Sequence, residues 1–110
     1  MLASLSILKH KFSTAIKETR PALIRKLQHQ SLKRGTSENG ILLGAFASKA
    51  LSAMTDADLI SYQGIIAEND IDLFNWLSGM QEAPLKYKGD VVFQMIGQFY
   101  SEKRAASFKN

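Results

Sequence analysis

The stretch Lys33-Arg34-Gly35-Thr36-Ser37-Glu38-Asn39 brings a cation, a glycine and a carboxylate together. Arg34 offers a planar guanidinium fork that matches carboxylates and carbonyls. Gly35 lets the backbone turn sharply and lets a partner approach with no Cβ in the way. Glu38, placed in the first turn of a helix, is settled as an anion by the helix dipole. The chemistry on offer is recognition of a polar partner. On spacing alone, a helix stop followed by a capped start accounts for the same residues.

Elsewhere the sequence is poor in groups that make or break bonds. It has no cysteine, which excludes disulfides, thiolate metal sites, iron–sulfur clusters and a cysteine nucleophile. His10 lies in a basic start and His29 in a basic helix with no acid nearby, too few donors for a metal. Gly35-Thr36-Ser37 lacks the lysine of a phosphate loop. No serine sits in a Gly-x-Ser-x-Gly elbow. The acids from Asp56 to Asp72 lack the spacing and central glycine of a calcium loop.

The elements that must position the turn read as helical throughout, with no period-two stretch of strand length. Pro21 suits a helix start, and Ala22, Leu23, Leu27 and Ile24 mark an apolar side up to Gly35. Thr36 or Ser37 can cap a second helix, where Leu43, Phe46, Ala47, Ala50, Leu51 and Met54 form a buried stripe widened by Ile41 and Leu42. Gly40 and Gly44 lie four apart on one face and fit either a close approach by another chain or a thin spot within the domain. Thr55 caps a third helix with Leu59, Tyr62, Ile66 and Ile65 inward. Asn69 and Asp70 end it. A short fourth helix points Ile71, Phe74 and Leu77 inward and stops at Gly79. Pro84 and Gly89 bracket a loop. A last helix from about Asp90 turns Val92, Met95 or Ile96, and Phe99 inward. The expected fold is an all-α, compact five-helix bundle in one domain.

The 110-residue chain carries a formal charge of +4, unevenly spread. Residues 1–35 hold eight basic side chains against Glu18 alone, whereas Asp56 to Glu82 holds six acids and no base. That division weakens a nucleic-acid reading of the overall charge. Its longest uncharged run, Val91 to Ser101, has 11 residues, well short of the ~20 a membrane span needs. Leu2, Leu5, Leu8, Phe12 and Ile16 form one helical face in an acid-poor, lysine- and serine-bearing start. That pattern is the pattern of a mitochondrial transit peptide, and also of a short basic helix lying on the domain. The expected division is 1–20 as this leading segment, 21–102 as the helical domain and 103–110 as a polar, fraying tail.

Gln30-Ser31-Leu32-Lys33-Arg34-Gly35-Thr36-Ser37-Glu38-Asn39-Gly40-Ile41-Leu42-Leu43 resembles the Arg-Gly-x-x-Glu signature of the small flavinylation factors of succinate dehydrogenase. These are bacterial SdhE and its mitochondrial counterpart, succinate dehydrogenase assembly factor 2. The resemblance runs through Phe46, Met54-Thr55-Asp56 and Tyr62 and returns in Asp70-Ile71-Asp72-Leu73-Phe74-Asn75-Trp76-Leu77. It covers about residues 23–100. Thr36 and Ser37 fill positions that are often larger and more apolar in the family.

The resemblance implies a five-helix all-α fold and an assembly factor rather than an enzyme. Its partner would be the flavoprotein subunit of succinate dehydrogenase, on which it promotes covalent attachment of FAD to a histidine. In the chemistry the resemblance implies, the flavin methyl would lose a proton and the histidine would attack the resulting electrophilic carbon. The helper holds the partner in the reactive arrangement. Arg34, Gly35 and Glu38, with Asn39 and Asp72, are the implied partner-binding residues. Arg34 would pair with a carboxylate or carbonyls of the partner. No FAD is held stably by the helper itself. The implied compartment is the mitochondrial matrix, with a bacterial cytoplasm as the alternative, and the free chain is expected to be a monomer without an integral membrane segment. Two other readings stay open: a small basic helical nucleic-acid-binding module built on Arg25, Lys26, Lys33 and Arg34, and an adapter for another flavoprotein.

Overall fold

Asn69 and Thr55, both short polar side chains at helix starts, set the beginnings of two central helices. Thr55 Oγ1 accepts from the Asp58 amide at 3.1 Å, and Asn69 Oδ1 accepts from those of Ile71 at 3.0 Å and Asp72 at 3.2 Å. Each bond satisfies an amide that has no partner within its helix. In the computed structural model, which describes residues 19–34 and 37–108, the order is α1 (Arg20–Leu32), α2 (Ser37–Ala50), a 3₁₀ turn (Leu51–Ala53), α3 (Asp56–Ile66), α4 (Asp70–Leu77), α5 (Leu85–Lys88) and α6 (Val91–Phe108). The fold is all-α, with five helices of eight residues or more and the one-turn α5. No strand is present among the described residues. Residues 1–18 of the expected leading segment 1–20, together with Gly35 and Thr36, lie outside the described residues.

The first and last helices run past the expected segment divisions. Thr19 and Arg20, assigned by sequence to the leading segment, are the cap and the first residue of α1. Thr19 caps it by accepting from the Ala22 amide at 3.3 Å, with Pro21 in the first turn. Arg20 reaches Asp56 at 2.6 Å and the carbonyls of Ser52 and Met54, tying α1 to the start of α3. At the other end the expected fraying tail is a continuation of α6 to Phe108. Nothing in Lys103-Arg104-Ala105-Ala106 breaks a helix, and Arg104 donates to the Ser78 carbonyl at 2.6 Å.

Leu43, Phe46, Ala47, Leu51 and Met54 are buried as the spacing predicts, against Leu27, Leu59, Tyr62, Ile65 and Ile66. Phe46 stacks on Tyr62 at 5.8 Å and meets Phe99 edge-on at 5.6 Å. Two apolar assignments are corrected, and one open pair is decided. Ile41 and Ile71, expected inward, are 69% and 64% exposed, and Leu73 takes the buried place on α4. Met95 is 40% exposed, leaving Ile96 as the inward residue of its pair. The loop expected between Pro84 and Gly89 contains α5. Its Tyr87 is buried between Trp76 and Phe93, at centroid distances of 5.9 and 5.0 Å, and donates its hydroxyl to Glu68. That bond and a 3.0 Å contact with Lys86 hold the Glu68 carboxyl below the usual carboxylate range.

The Gly40–Gly44 face meets α1 within the domain. A Cβ on Gly40 would lie 2.8 Å from the Leu32 carbonyl oxygen, and one on Gly44 would lie 2.4 Å from Leu32 Cδ2. Two glycines therefore let α2 start hard against the last residue of α1. Gly79 closes α4 with φ of 83°, a left-handed conformation that side-chain-bearing residues rarely adopt.

Candidate functional site

Arg34 follows α1 at the point where the chain must reverse into α2. Its guanidinium points inward, and the side chain is 11% exposed. Nε donates to Asp70 Oδ1 at 2.7 Å, one terminal nitrogen to the Ile66 carbonyl and the other to the Glu68 carbonyl at 3.0 Å. Those carbonyls lie at the C-terminal end of α3, where the last carbonyls have no helical partner and the dipole favours a cation. Asp70 is the first residue of α4, where the dipole favours an anion. One arginine thus closes α3 and is neutralised by the opening residue of α4.

Asn39, in the first turn of α2, is fully buried. Its amide nitrogen donates to the Asp70 carbonyl and to Asp70 Oδ1, both at 2.9 Å. Its amide oxygen accepts from the Tyr100 hydroxyl of α6 at 2.6 Å. Burial pushes the Tyr100 hydroxyl well above the ordinary tyrosine range, and Tyr62 and Asp70 add to the shift. A second polar pair lies beneath. Ser31 Oγ donates to the Leu27 carbonyl at 2.7 Å, so the Tyr62 hydroxyl donates to Ser31 at 2.6 Å. Burial first, offset by Ser31 and Arg34, raises the Tyr62 hydroxyl to about 12. Among the described residues no buried side-chain nitrogen or oxygen lacks a partner. A network completed in this way fixes geometry, because every alternative arrangement leaves a buried polar atom unpaired.

The residues singled out by sequence therefore divide. Arg34 and Asn39 are spent inside the chain, and Arg34 is not presented to solvent with Arg25, Lys26 and Lys33. Glu38 and Asp72 are exposed. Gly35 lies outside the described residues. Glu38 borders a shallow groove of about 120 Å³ with Ile41, Leu42, Lys103 and Arg104, where α2 passes the end of α6. Exposed Ile41, two residues after Asn39, and Ile71, next to Asp70, give the neighbourhood apolar surface. Asp70 and Tyr100 were missed as members of the site. Tyr100 had a legible signal, since it falls four residues after Ile96 and eight after Val92 on one helical face. Asp70 had none, being indistinguishable from a helix breaker. Among the described residues no group of three or more histidines and carboxylates could hold a metal, and no helix is long and apolar enough to cross a membrane.

Glu38 is thus an exposed acid beside a helix junction held from within by Asp70. Residues 25–100 match the family model described as flavinator of succinate dehydrogenase. The chain is similar to "Succinate dehydrogenase assembly factor 2, mitochondrial" of Schizosaccharomyces pombe, with 36% identity over 87 residues, 79% of this chain and 63% of that one. The zebrafish protein (Danio rerio) of the same name is 38% identical over 77 residues, 68% of this chain and 48% of that one. That of Caenorhabditis elegans is 37% identical over 81 residues, 72% of this chain and 68% of that one. The chain thus spans less than two thirds of the Schizosaccharomyces and zebrafish relatives. With the family model matched from residue 25 to residue 100, the chain belongs to the flavinator of succinate dehydrogenase family.

Proposed function

We propose that the chain is a non-catalytic assembly factor that binds the flavoprotein subunit of succinate dehydrogenase and promotes covalent attachment of FAD to a histidine of that subunit. The observation that carries this reading is the anchored turn. Arg34 and Asn39 are held from within by Asp70, while Glu38 one residue away stands exposed, in a chain of the flavinator family. The names of the relatives support the partner and a mitochondrial compartment. The acid-poor amphipathic start of the sequence supports the matrix in particular.

In this reading the bond-making chemistry belongs to the flavin and its own subunit. The chain contributes a rigid surface that holds the partner with the flavin methyl carbon and the histidine in reach, removing entropy and misorientation from the barrier. Glu38 is the anion presented toward the flavin and dicarboxylate region, and Asp72 is a further contact from the start of α4. Gly35 lets the partner backbone come close. Arg34 builds the turn rather than pairing with the partner. FAD stays with the flavoprotein, and the free chain is a monomer.

The test is reconstitution from purified full chain, flavoprotein subunit lacking covalent FAD, and free FAD. Covalent product is read as flavin fluorescence of the denatured subunit in a gel. Fluorescence that accumulates faster with the chain than without it is the expected result. Equal accumulation contradicts the proposal.

A further inference from the structure

Asp70 Oδ1 is a single atom with two donors from opposite ends of the turn. Arg34 Nε reaches it at 2.7 Å and Asn39 Nδ2 at 2.9 Å. Arg34 lies immediately before the Gly35-Thr36-Ser37 step, and Asn39 immediately after Glu38. Both ends of the presenting segment are thus referenced to one carboxylate oxygen. The same Asn39 is oriented from its other side by Tyr100, 61 residues away on α6, whose hydroxyl fixes the amide oxygen at 2.6 Å. An amide with its oxygen held by Tyr100 must turn its nitrogen to Asp70, so the tyrosine selects the Asn39 rotamer that closes the turn. Glu38 directly precedes Asn39, so its backbone is tied to the residue that Asp70 and Tyr100 hold.

We infer that Asp70 and Tyr100 are positioning residues for flavinylation, acting through Asn39 and Arg34 to aim Glu38. The inference rests on the reading that the turn acts on the flavoprotein, and it adds two residues that touch neither flavin nor partner. A displacement of about 1 Å at a group that orients reactants is enough to lower a rate ~100-fold. The anchoring residues therefore govern the rate at full occupancy of the partner more than the occupancy itself.

Tyr100→Phe and Asp70→Asn, in the full chain, are compared with Glu38→Ala in the reconstitution above. Each is assayed over a range of concentrations, below the temperature at which its circular dichroism begins to fall. For Tyr100→Phe and Asp70→Asn the saturating rate is expected to drop ~10-fold or more, with the half-saturating concentration moved less than ~3-fold. Amide hydrogen exchange is expected to rise in residues 37–42 and not in α3, a pattern that general loss of stability does not give. Wild-type saturating rates in both variants, with Glu38→Ala impaired, overturn the positioning role and leave the site standing. Exchange that rises evenly over all helices overturns it as well. Wild-type rates in all three variants remove the site reading and this inference with it. Should Asp70→Asn fail to fold, Tyr100→Phe alone decides, because its ring can still fill the core while only the hydroxyl is gone.

Discussion

Arg34→Ala tests the assignment of this residue to the interior. The change removes three directed hydrogen bonds at once, to Asp70 Oδ1 and to the carbonyls of Ile66 and Glu68. Breaking a buried ion pair by deleting one partner costs about 3–5 kcal/mol. Asp70 is 17% exposed and keeps the Asn39 amide at 2.9 Å, so some of its charge remains compensated. We therefore place the cost at about 2–4 kcal/mol, a large share of the roughly 5–13 kcal/mol available to a domain of this size. The melting temperature should fall by about 10–25 °C, followed by far-ultraviolet circular dichroism. Arg34→Lys keeps the charge but cannot serve a carboxylate and two carbonyls together, and should lose about half as much. A fall below about 3 °C for Arg34→Ala would show that the guanidinium is solvated and the network is not formed.

The same packing sets three further outcomes. Gly40→Ala should cost about 1–3 kcal/mol, because its Cβ meets the backbone oxygen of Leu32 at 2.8 Å. Gly44→Ala should be near neutral, because the exposed Leu32 side chain can swing away and alanine favours the helix by about 1 kcal/mol; urea midpoints in the reverse order would contradict the packing. Tyr62 has a folded pKa of about 12 against an ordinary 10.0. The folded value is the higher one, so the stability it contributes is complete below pH 10 and is lost as pH rises toward 12. Helicity should therefore fall in that window together with tyrosinate absorbance, less steeply in Tyr62→Phe; every tyrosine ionising near its ordinary value in a still-folded chain would refute this. Trp76 is half-buried against Tyr87 at 5.9 Å. Trp76→Ala should cost about 1–3 kcal/mol in urea unfolding rather than the ~3–5 of a fully buried ring, and a larger loss would place the indole deeper in the core.

Long periodic stretches were legible in the sequence because burial enforces the helical period over several turns. The stripe Leu43-Phe46-Ala47-Leu51-Met54 is the example. Caps and stops that act within a few residues, Thr55 and Gly79, were legible because their hydrogen bonding and backbone conformation are local. The eight-residue α4 was not, since Ile71-Phe74-Leu77 and Leu73-Leu77 both fit its spacing. The choice is made at Asp70, whose bonds to Arg34 and Asn39 come from 36 and 31 residues away. Those bonds fix the first turn of α4 and leave Ile71 outside. The inward bonds of Arg34 were not legible for a related reason. A single arginine beside a glycine says nothing about three acceptors that only the folding of α3 onto α1 supplies. The turn stood out by its residue types and by resemblance, and its division into inward anchors and an outward acid was found only in three dimensions.

Glu38→Ala isolates the central claim, because Glu38 is exposed and its loss removes at most a helix-end term of about 0.3–1 kcal/mol. The variant is expressed in cells lacking the wild-type factor, and in-gel flavin fluorescence of the denatured succinate dehydrogenase flavoprotein is recorded. A chain with unchanged helicity and a cooperative melt that leaves the flavoprotein dark is the predicted result. Full fluorescence with Glu38→Ala would contradict the claim that this turn, through its exposed carboxylate, promotes the attachment of FAD.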